Sequence, residues 1–505
     1  MPKKTRTTIE YGDFQTPLSL ARDICRRLSD EGLAPAAIIE PTCGVGAFLH
    51  AGIEHFPSAG KTLGIEINPA YVDKLNATFN RHVGAQNRVV KIVQGDFFAT
   101  DWAAWLQSYP EPLLIIGNPP WVTNAELGAL GSANLPEKSN FQHFKGVDAI
   151  TGKSNFDISE YMLSRLLDGL KGRNATLAML CKTVVARKVL AYAWKNGIEL
   201  KQARLYKIDA RKHFGAAVDA GLLVCHLSPL GCSRDAFVYQ RLEDAEPSCT
   251  MGYRDLGLVA NIDFYEQSKH LREAGTVPTW RSGVKHDCAK VMELRQVGAQ
   301  TLNGLGEAID IEEDYLYPML KSSDLASGNP PSPKRWMIVT QRSTGADTRR
   351  IQYQAPKTWR YLQRHAALLS RRSSSIYKNR PPFSVFGVGD YTFAPWKVAI
   401  SGFYKSLIFN IIGNEAGKPI VLDDTCYFLP CQNQREAQGI ASLLNSRMAR
   451  EFFSAFIFWD AKRPITTDLL RRLDLWSLAR VMGQERLLAQ QVRQGQTGLN
   501  PLPHS

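Results

Sequence analysis

One apolar run that stops on a stiff polar loop limits this chain's architecture more than any other feature. Leu113-Leu114-Ile115-Ile116-Gly117 has no polar face, as expected of a strand buried on both sides in a parallel sheet. Asn118-Pro119-Pro120-Trp121 follows at once. The two prolines fix φ and remove two N–H donors, which leaves the local carbonyls free to accept. Asn118 adds a side-chain acceptor and Trp121 a flat face. Open α/β sheets bind ligands at the carboxyl ends of their strands. Such a loop could hold a planar amino group, for instance N6 of adenine, while the ring stacks on the indole. An ordinary proline-rich turn would use the same four residues, so the rest of the chain must decide.

The first 230 residues alternate strand and helix signals, the pattern of a parallel sheet. Apolar strand candidates are Ala36–Glu40, Thr62–Ile67, Val89–Val93, Leu113–Gly117, Ala175–Cys181, Ala203–Ile208 and Gly221–Leu227. Helical spacing is predicted for Leu18–Ser29, Ala47–His55, Pro69–Arg81, Ile158–Leu170 and Val184–Trp194. No clear helix separates the last two strands, which suits a closing antiparallel hairpin. Asn124 to Asn155 breaks the pattern with Asn, Ser, Gly and Lys, and a loop of that length could close over a substrate. Residues 231–300 read as a connection. Residues 301–480 read as a second, mixed α/β domain, with strand-like Lys397–Ile400 and Val421–Phe428 and helical Glu436–Phe453. Residues 481–505 form a polar tail expected to fray.

The chain has 505 residues, 44% of them hydrophobic and 22% charged, as in globular proteins. No stretch approaches the ~20 apolar residues of a membrane span, and the basic start lacks the apolar core of a signal peptide. A cytoplasmic protein is expected. Nine cysteines lie scattered without a zinc-like spacing, so neither a metal nor disulfides are expected. The formal charge of +13 suggests a polyanionic partner. Between Arg342 and Arg380 lie Arg349, Arg350, Lys357, Arg360, Arg364, Arg371, Arg372 and Lys378, with Asp347 the only acid. Tyr353, Trp359, Tyr361 and Tyr377 are interleaved, which fits a nucleic-acid surface or, more plainly, a solvated helical face.

Three strand ends carry cofactor chemistry. Glu40-Pro41-Thr42-Cys43-Gly44-Val45-Gly46 is a glycine turn between a strand and a helix, where backbone can approach a ligand. Glu66 ends the next strand and, with Ile67 beside it, could accept from ribose hydroxyls. Asp96, in Gln94-Gly95-Asp96-Phe97, could accept from an exocyclic amine while Phe97 covers a purine face. No phosphate-binding lysine motif is present, so a nucleoside without phosphates, such as S-adenosylmethionine (AdoMet), fits better than a nucleotide. Plainer roles exist for each residue: Glu66 as a surface acid, Asp96 as the N-cap of the helix at Trp102, Cys43 as a small turn residue.

Taken together, these residues resemble the gamma class of amino-methyltransferases, specifically N6-adenine DNA methyltransferases of the TaqI type found in restriction–modification systems. Gly12-Asp13-Phe14-Gln15-Thr16-Pro17 resembles that family's N-terminal motif, implying that Phe14, Thr16 and Pro17 cap the cofactor's methionine end. Glu40, Thr42, Cys43, Gly44 and Gly46 match its AdoMet turn, with Glu66, Ile67, Asp96 and Phe97 around ribose and adenine. Asn118, Pro119, Pro120 and Trp121 match the catalytic motif, where the aromatic is more often Tyr or Phe; Asn118 also borders the cofactor. Ser154-Asn155-Phe156-Asp157-Ile158-Ser159-Glu160 resembles the helix motif that follows. Phe214 sits where the family places a second aromatic against the flipped base. Tyr317 to Asp324, Phe386-Gly387-Val388-Gly389 and Leu443-Leu444-Asn445-Ser446 resemble segments of the recognition domain.

The resemblance implies an α/β fold: a class I AdoMet-dependent methyltransferase with a Rossmann-like seven-stranded sheet, followed by a C-terminal target-recognition domain. Residues 1–230 would be catalytic and 301–480 would read DNA. It implies methylation of adenine N6 in double-stranded DNA, with Trp121 and Phe214 holding the base and Lys153, Arg371, Arg372 and Lys378 on the DNA. A monomer is expected, with a separately encoded restriction endonuclease as its counterpart. Only about ten residues precede Gly12, too few for a nuclease domain. Three rivals stay open: RNA or protein methylation, N4-cytosine methylation, and a non-catalytic DNA-binding protein.

Overall fold

The structure, a computed structural model, describes residues 15–79, 88–122, 157–272, 279–298, 300–486 and 488–489. Phe14, Lys153, the Asn124–Asn155 segment and most of the tail therefore lie outside the described residues. Contacts divide the chain into two units, Met1–Ile262 and Asp263–Ser505.

The first unit is built on one sheet. In chain order its elements are α1 (Leu18–Asp30), β1 (Ala37–Glu40), α2 (Ala47–His55), β2 (Lys61–Glu66), α3 (Pro69–Phe79), β3 (Val89–Gln94), α4 (Trp102–Gln107), β4 (Leu113–Gly117), α5 (Ile158–Gly169), β5 (Ala175–Lys182), α6 (Thr183–Lys195), β6 (Leu200–Ile208), α7 (Ala210–Phe214) and β7 (Ala220–Leu227). Three further strands follow, β8 (Asp235–Tyr239), β9 (Cys249–Arg254) and β10 (Gly257–Val259). The strand order is 10-9-8-6-7-5-4-1-2-3.

Burial explains that order. All residues of β1 and β4 and all but the last of β5 are buried, so the uniformly apolar strands occupy the middle. β3 alternates exposed and half-buried positions and takes the edge. α1 buries Leu20, Ala21, Ile24, Cys25 and Leu28, one helical stripe, and packs against α2. β1, β2, β3, β4 and β5 run parallel, and β7 is antiparallel to both β5 and β6. The hairpin expected at β6–β7 is present, with the five-residue α7 in its connection. Beyond the expected seven strands, β8 pairs parallel with β6 and continues the sheet into β9 and β10. Part of the region read as a connection is thus sheet. The order reverses at β1, whose neighbours β2 and β4 are reached by crossovers to opposite sides, the place where such sheets open a crevice.

The second unit mixes sheet and helix. Strands β11 (Arg281–Ser282), β12 (Glu293–Val297), β13 (Gln300–Asn303), β14 (Leu316–Leu320), β15 (Arg335–Ile338), β16 (Trp396–Ser401), β17 (Asn410–Ile412), β18 (Val421–Leu422) and β19 (Cys426–Cys431) form two sheets, ordered 11-19-16-17 and 13-12-15-14-18. Between β15 and β16 the helix α8 (Pro356–Arg364) buries Thr358, Tyr361 and Leu362 and turns its basic face outward. α9 (Gln434–Leu444) packs on β16.

Candidate active site

Sheet register sets the ends of β3, β2, β1 and β4 side by side. Glu66 pairs with Gln94, Glu40 with Gly64, and Ile39 with Ile115. The turn after β1 carries Gly44 at φ +50° and Gly46 at φ +82°. An added Cβ on Gly44 would lie 2.6 Å from the Gln15 amide oxygen, and one on Gly46 would lie 2.5 Å from Leu75 Cδ2. Both glycines are therefore favoured by conformation, and Gly46 is also crowded by the buried Leu75. Cys43 N–H donates to the Ile65 carbonyl at 2.9 Å, which lays the turn across the end of β2. Burial pushes the Cys43 thiol up, as suits an unreactive turn residue, and Thr42 is half-buried beside it.

The two glutamates divide the work. Glu66 accepts from Gly44 N–H at 2.7 Å through Oε2 and from Asn68 N–H at 2.8 Å through Oε1. Each carboxylate oxygen has a second lone pair, so both can still accept from a diol. Next to it Ile67 is 38% exposed, an uncovered apolar face at a strand end. Glu40 lies deeper and accepts from Leu49 N–H at 3.1 Å, the third residue of α2. It satisfies one of the first-turn donors of α2 that have no partner within the helix. Burial holds its carboxyl well above the usual carboxylate range, and the charge of Glu66 adds to the rise.

Asp96 accepts from Phe98 N–H at 2.9 Å, so it orders its own turn. The cap of α4 is Asp101, which accepts from Ala104 N–H at 3.2 Å, and Asp96 has no part in it. Phe97 is buried, 4.7 Å from the Trp102 ring, and its carbonyl accepts from the Trp102 indole N–H at 2.9 Å. From the N-terminal motif, the Gln15 amide oxygen accepts from Val45 N–H at 3.1 Å. Gln15 thus reaches the glycine turn itself, while Thr16 and Pro17 lead into α1. A nucleoside with a cationic tail and no phosphate fits this edge: a glycine turn, a paired carboxylate, an apolar step and a second acid.

At the end of β4, Asn118 is half-buried and Pro119 buried. Gly117 lies between Glu40 and Met179, and a Cβ there would make ordinary contact with each at 3.6 Å. Trp121 is 5% exposed, and its indole N–H donates to the Leu180 carbonyl at 3.4 Å. Its ring meets Phe214 edge-to-face, with centroids 5.1 Å apart. The fold thus brings together Trp121 and Phe214, 93 residues apart in sequence. Phe214, the last residue of α7, is half-buried and packs on the core that holds Trp121.

Two contributors were not legible as site residues. Gln15 is one. The other is Lys182, the last residue of β5, whose Nζ donates to the Trp121 carbonyl at 3.0 Å and pairs with Asp157 at 2.7 Å. Asp157 also caps α5 by accepting from Ser159 N–H at 3.1 Å. Lys182 thereby ties the Asn118–Trp121 loop to α5.

In the second unit the basic residues named from sequence separate. Arg371 and Lys378 are exposed. Arg372 is turned inward: its guanidinium donates to the Ser384 carbonyl at 2.7 Å and the Leu369 carbonyl at 2.8 Å and lies 3.7 Å from the Tyr377 ring centroid. Burial lowers its pKa. That geometry gives it a structural task within the unit.

No protein-family model matches the chain. The type II methyltransferase M.NspV of Nostoc sp. is 45% identical over 477 residues, covering 94% of this chain and 98% of that protein. Among solved structures, the type IIL restriction–modification enzyme MmeI in complex with DNA superposes with a TM-score of 0.53 at 12% identity. That match covers 92% of this chain and 64% of MmeI, and it supports the fold. Identity of that extent over nearly the whole of both chains decides the family: this chain belongs to the type II DNA methyltransferases of restriction–modification systems, AdoMet-dependent enzymes.

Proposed function

We propose that this enzyme transfers a methyl group from AdoMet to N6 of an adenine flipped out of double-stranded DNA, at one short sequence. The observation that carries the reading is the placement of Asn118-Pro119 at the end of β4, one strand from the glycine turn and two from Glu66. AdoMet supplies an electrophilic methyl group on a sulfonium. The chain supplies position. Glu66 accepts from the ribose hydroxyls, Ile67 offers an apolar face, and Asp96 accepts from the cofactor's amine. Thr16 and Pro17 continue the segment that reaches this turn through Gln15, and Phe14, outside the described residues, is assigned with them to the cofactor's methionine end.

Adenine N6 is a weak nucleophile because its lone pair is delocalised into the ring. The Asn118 side chain and the Pro119 carbonyl accept its two N–H bonds and favour a more tetrahedral nitrogen. The N–C bond then forms as the S–C bond breaks, and the extra proton on N6 leaves to water. Rate comes from orientation and from these fixed acceptors. Flipping the base costs a few kcal/mol, and contact with the Trp121–Phe214 pair offsets part of it. The first unit is read as catalytic and the second as the DNA-reading part, with Lys153 of the first and Arg371 and Lys378 of the second assigned to backbone phosphates. A monomer acting beside a separately encoded endonuclease completes the reading.

The test is expression in a bacterial host that lacks DNA methylation, followed by single-molecule sequencing of its genome. N6-methyladenine at one motif is expected. N4-methylcytosine would move the target to cytosine, and unmodified DNA with a protein that binds AdoMet would overturn the DNA substrate.

A further inference from the structure

In the second unit two guanidinium groups that line clefts lie over aromatic rings; Arg472 and Arg380 also lie over rings, 4.7 Å from Phe456 and 5.8 Å from Phe386, but line neither of those clefts. Arg335 is paired with Asp324, Arg349 with Asp347, and Arg372 with backbone carbonyls. Arg342 and Arg281 make no side-chain hydrogen bond or ion pair among the described residues. Each lies instead over an aromatic ring: Arg342 Cζ is 4.3 Å from the Phe393 centroid, and Arg281 Cζ is 4.4 Å from that of Tyr391. A guanidinium stacked this way keeps its plane fixed and its N–H edge free, a prepared fork for two adjacent acceptors.

Both rings stand on one short turn, Asp390–Phe393, and the Phe386-Gly387-Val388-Gly389 motif builds it. Gly387 sits at φ +69°, and a Cβ there would lie 2.4 Å from the Gly283 carbonyl oxygen. A Cβ on Gly389 would lie 2.5 Å from the Tyr391 ring. Thr392 Oγ1 accepts from Gly389 N–H at 3.2 Å and closes the turn. Tyr317, from the other sequence segment of this kind, packs its ring 5.1 Å from Phe393. The cations stand on fixed supports too. Arg281 belongs to β11, opposite Phe428 of β19, and the Arg342 loop is held by the Gln341 amide donating to the Ser343 carbonyl at 2.9 Å.

Phe393 is the wall between two clefts of about 530 and 560 Å³; Arg342 lines the first and Arg281 the second. Asp314 and Asp347 line the first cleft beside Arg342 and Arg350, and Asp390 lines the second beside Arg281. Carboxylates repel phosphate but tolerate base edges, which carry donors as well as acceptors. The ligand that fits is a base edge with two neighbouring acceptors, and in the major groove that is guanine, through O6 and N7.

We infer that Arg342 and Arg281 are specificity-determining residues that each read a guanine in the target sequence. The inference rests on the DNA-methylation reading and adds the residues that select the site. Once sequencing has defined the wild-type motif, kcat/KM is measured for the full-length protein. The substrates are the cognate duplex and duplexes with one G·C pair changed or one guanine replaced by 7-deazaguanine, which lacks N7. Arg342→Ala and Arg281→Ala should each lose about 10- to 100-fold on the cognate duplex and almost nothing more when their own guanine is altered, so that discrimination collapses at one position. Arg349→Ala, which removes an exposed paired cation, should keep full discrimination.

An equal loss on every sequence with a shallower salt dependence would make these groups phosphate contacts and overturn the inference. So would unchanged discrimination, or a motif without a G·C pair. If a variant fails to fold, as thermal unfolding and AdoMet binding would show, the 7-deazaguanine series on the wild type decides: indifference at every guanine overturns the inference. A wild-type protein that methylates no DNA defeats the functional reading instead. Sequence selection then reads the forks directly: the duplexes it enriches should carry G·C pairs whose preference each Arg→Ala variant loses, and no such preference overturns the inference.

Discussion

Lys182 shows how a single side chain can matter without touching a reacting atom. Its Nζ holds the carbonyl of Trp121 and the carboxylate of Asp157 together, with only 20% of the lysine side chain and 8% of the aspartate exposed. Lys182→Met removes both bonds and leaves a buried carboxylate unpaired, a loss of roughly 1–3 kcal/mol in stability. Its larger effect should be on positioning. kcat is expected to fall about 10- to 100-fold while AdoMet affinity stays within about twofold, because a misplaced catalytic loop costs rate rather than cofactor binding. Single-turnover methylation beside calorimetric AdoMet titration checks this, and Lys182→Arg should recover part of kcat. Equal losses in kcat and AdoMet affinity would assign Lys182 to the cofactor site instead.

A second residue-scale expectation concerns Lys397 in β16. It is 1% exposed, its Nζ donates to the Ala394 carbonyl at 2.7 Å, and burial lowers its pKa from 10.5 to about 7. Between pH 7 and 10.5 the unfolded chain binds this proton more readily than the folded one, so stability rises with pH across that window. Below pH 7 both states are protonated and the folded state carries the full penalty, on the order of 5 kcal/mol. Lys397→Met should therefore raise stability most near pH 6, with the gain fading toward pH 10. Urea unfolding at several pH values tests it; a gain that does not vary with pH would show that Lys397 does not titrate on folding.

At the scale of the element, the glycine turn makes a graded test. Gly46 begins α2 at φ +82° with Leu75 against it, and Leu75 is buried in α3, where a shift would disturb its packing. Gly46→Ala should cost about 1–3 kcal/mol and weaken AdoMet binding at least tenfold. Gly44→Ala meets only the amide of Gln15, a flexible end, so AdoMet affinity should fall with a smaller loss of stability. Thermal unfolding with and without AdoMet separates the two, and equal destabilisation would mean that Gln15 cannot yield. The elements also show what sequence can and cannot say. β1 to β7 were legible to within a few residues because β1, β2, β4, β5 and β7 carry apolar runs that suit buried strands, while β3 and β6 keep a strand-like mix of apolar and polar positions, each after a clear helix signal. β8 to β10 were not, since Asp235–Tyr239 and Cys249–Arg254 mix polar and apolar positions and gain their place only by pairing with β6 and with each other. Glu66, Asp96 and Asn118 could be named because strand ends are chemically conspicuous. Lys182 could not, because a lysine ending a strand reads as solvated until the fold brings Asp157 beside it.

At the scale of the whole molecule, charge is unevenly shared. The unit Met1–Ile262 has 29 Lys and Arg against 26 Asp and Glu, a formal +3; Asp263–Ser505 has 32 against 22, a formal +10. Most of the excess therefore belongs to the unit proposed to read DNA, while the AdoMet edge is built from carboxylates and backbone. The two ligands should respond to salt in opposite measure. A polyanion neutralised at about six phosphates loses roughly 10³-fold in affinity between 50 and 200 mM salt, through release of its condensed counterions. The proposed AdoMet site is built on buried and half-buried groups, where salt screens little, so AdoMet affinity should move less than about twofold. Fluorescence anisotropy with a labelled duplex and calorimetry with AdoMet, run in the same buffers, measure both. A DNA affinity indifferent to salt would mean that the excess charge of the second unit faces no phosphates, and DNA would then have to be held by contacts other than this basic surface.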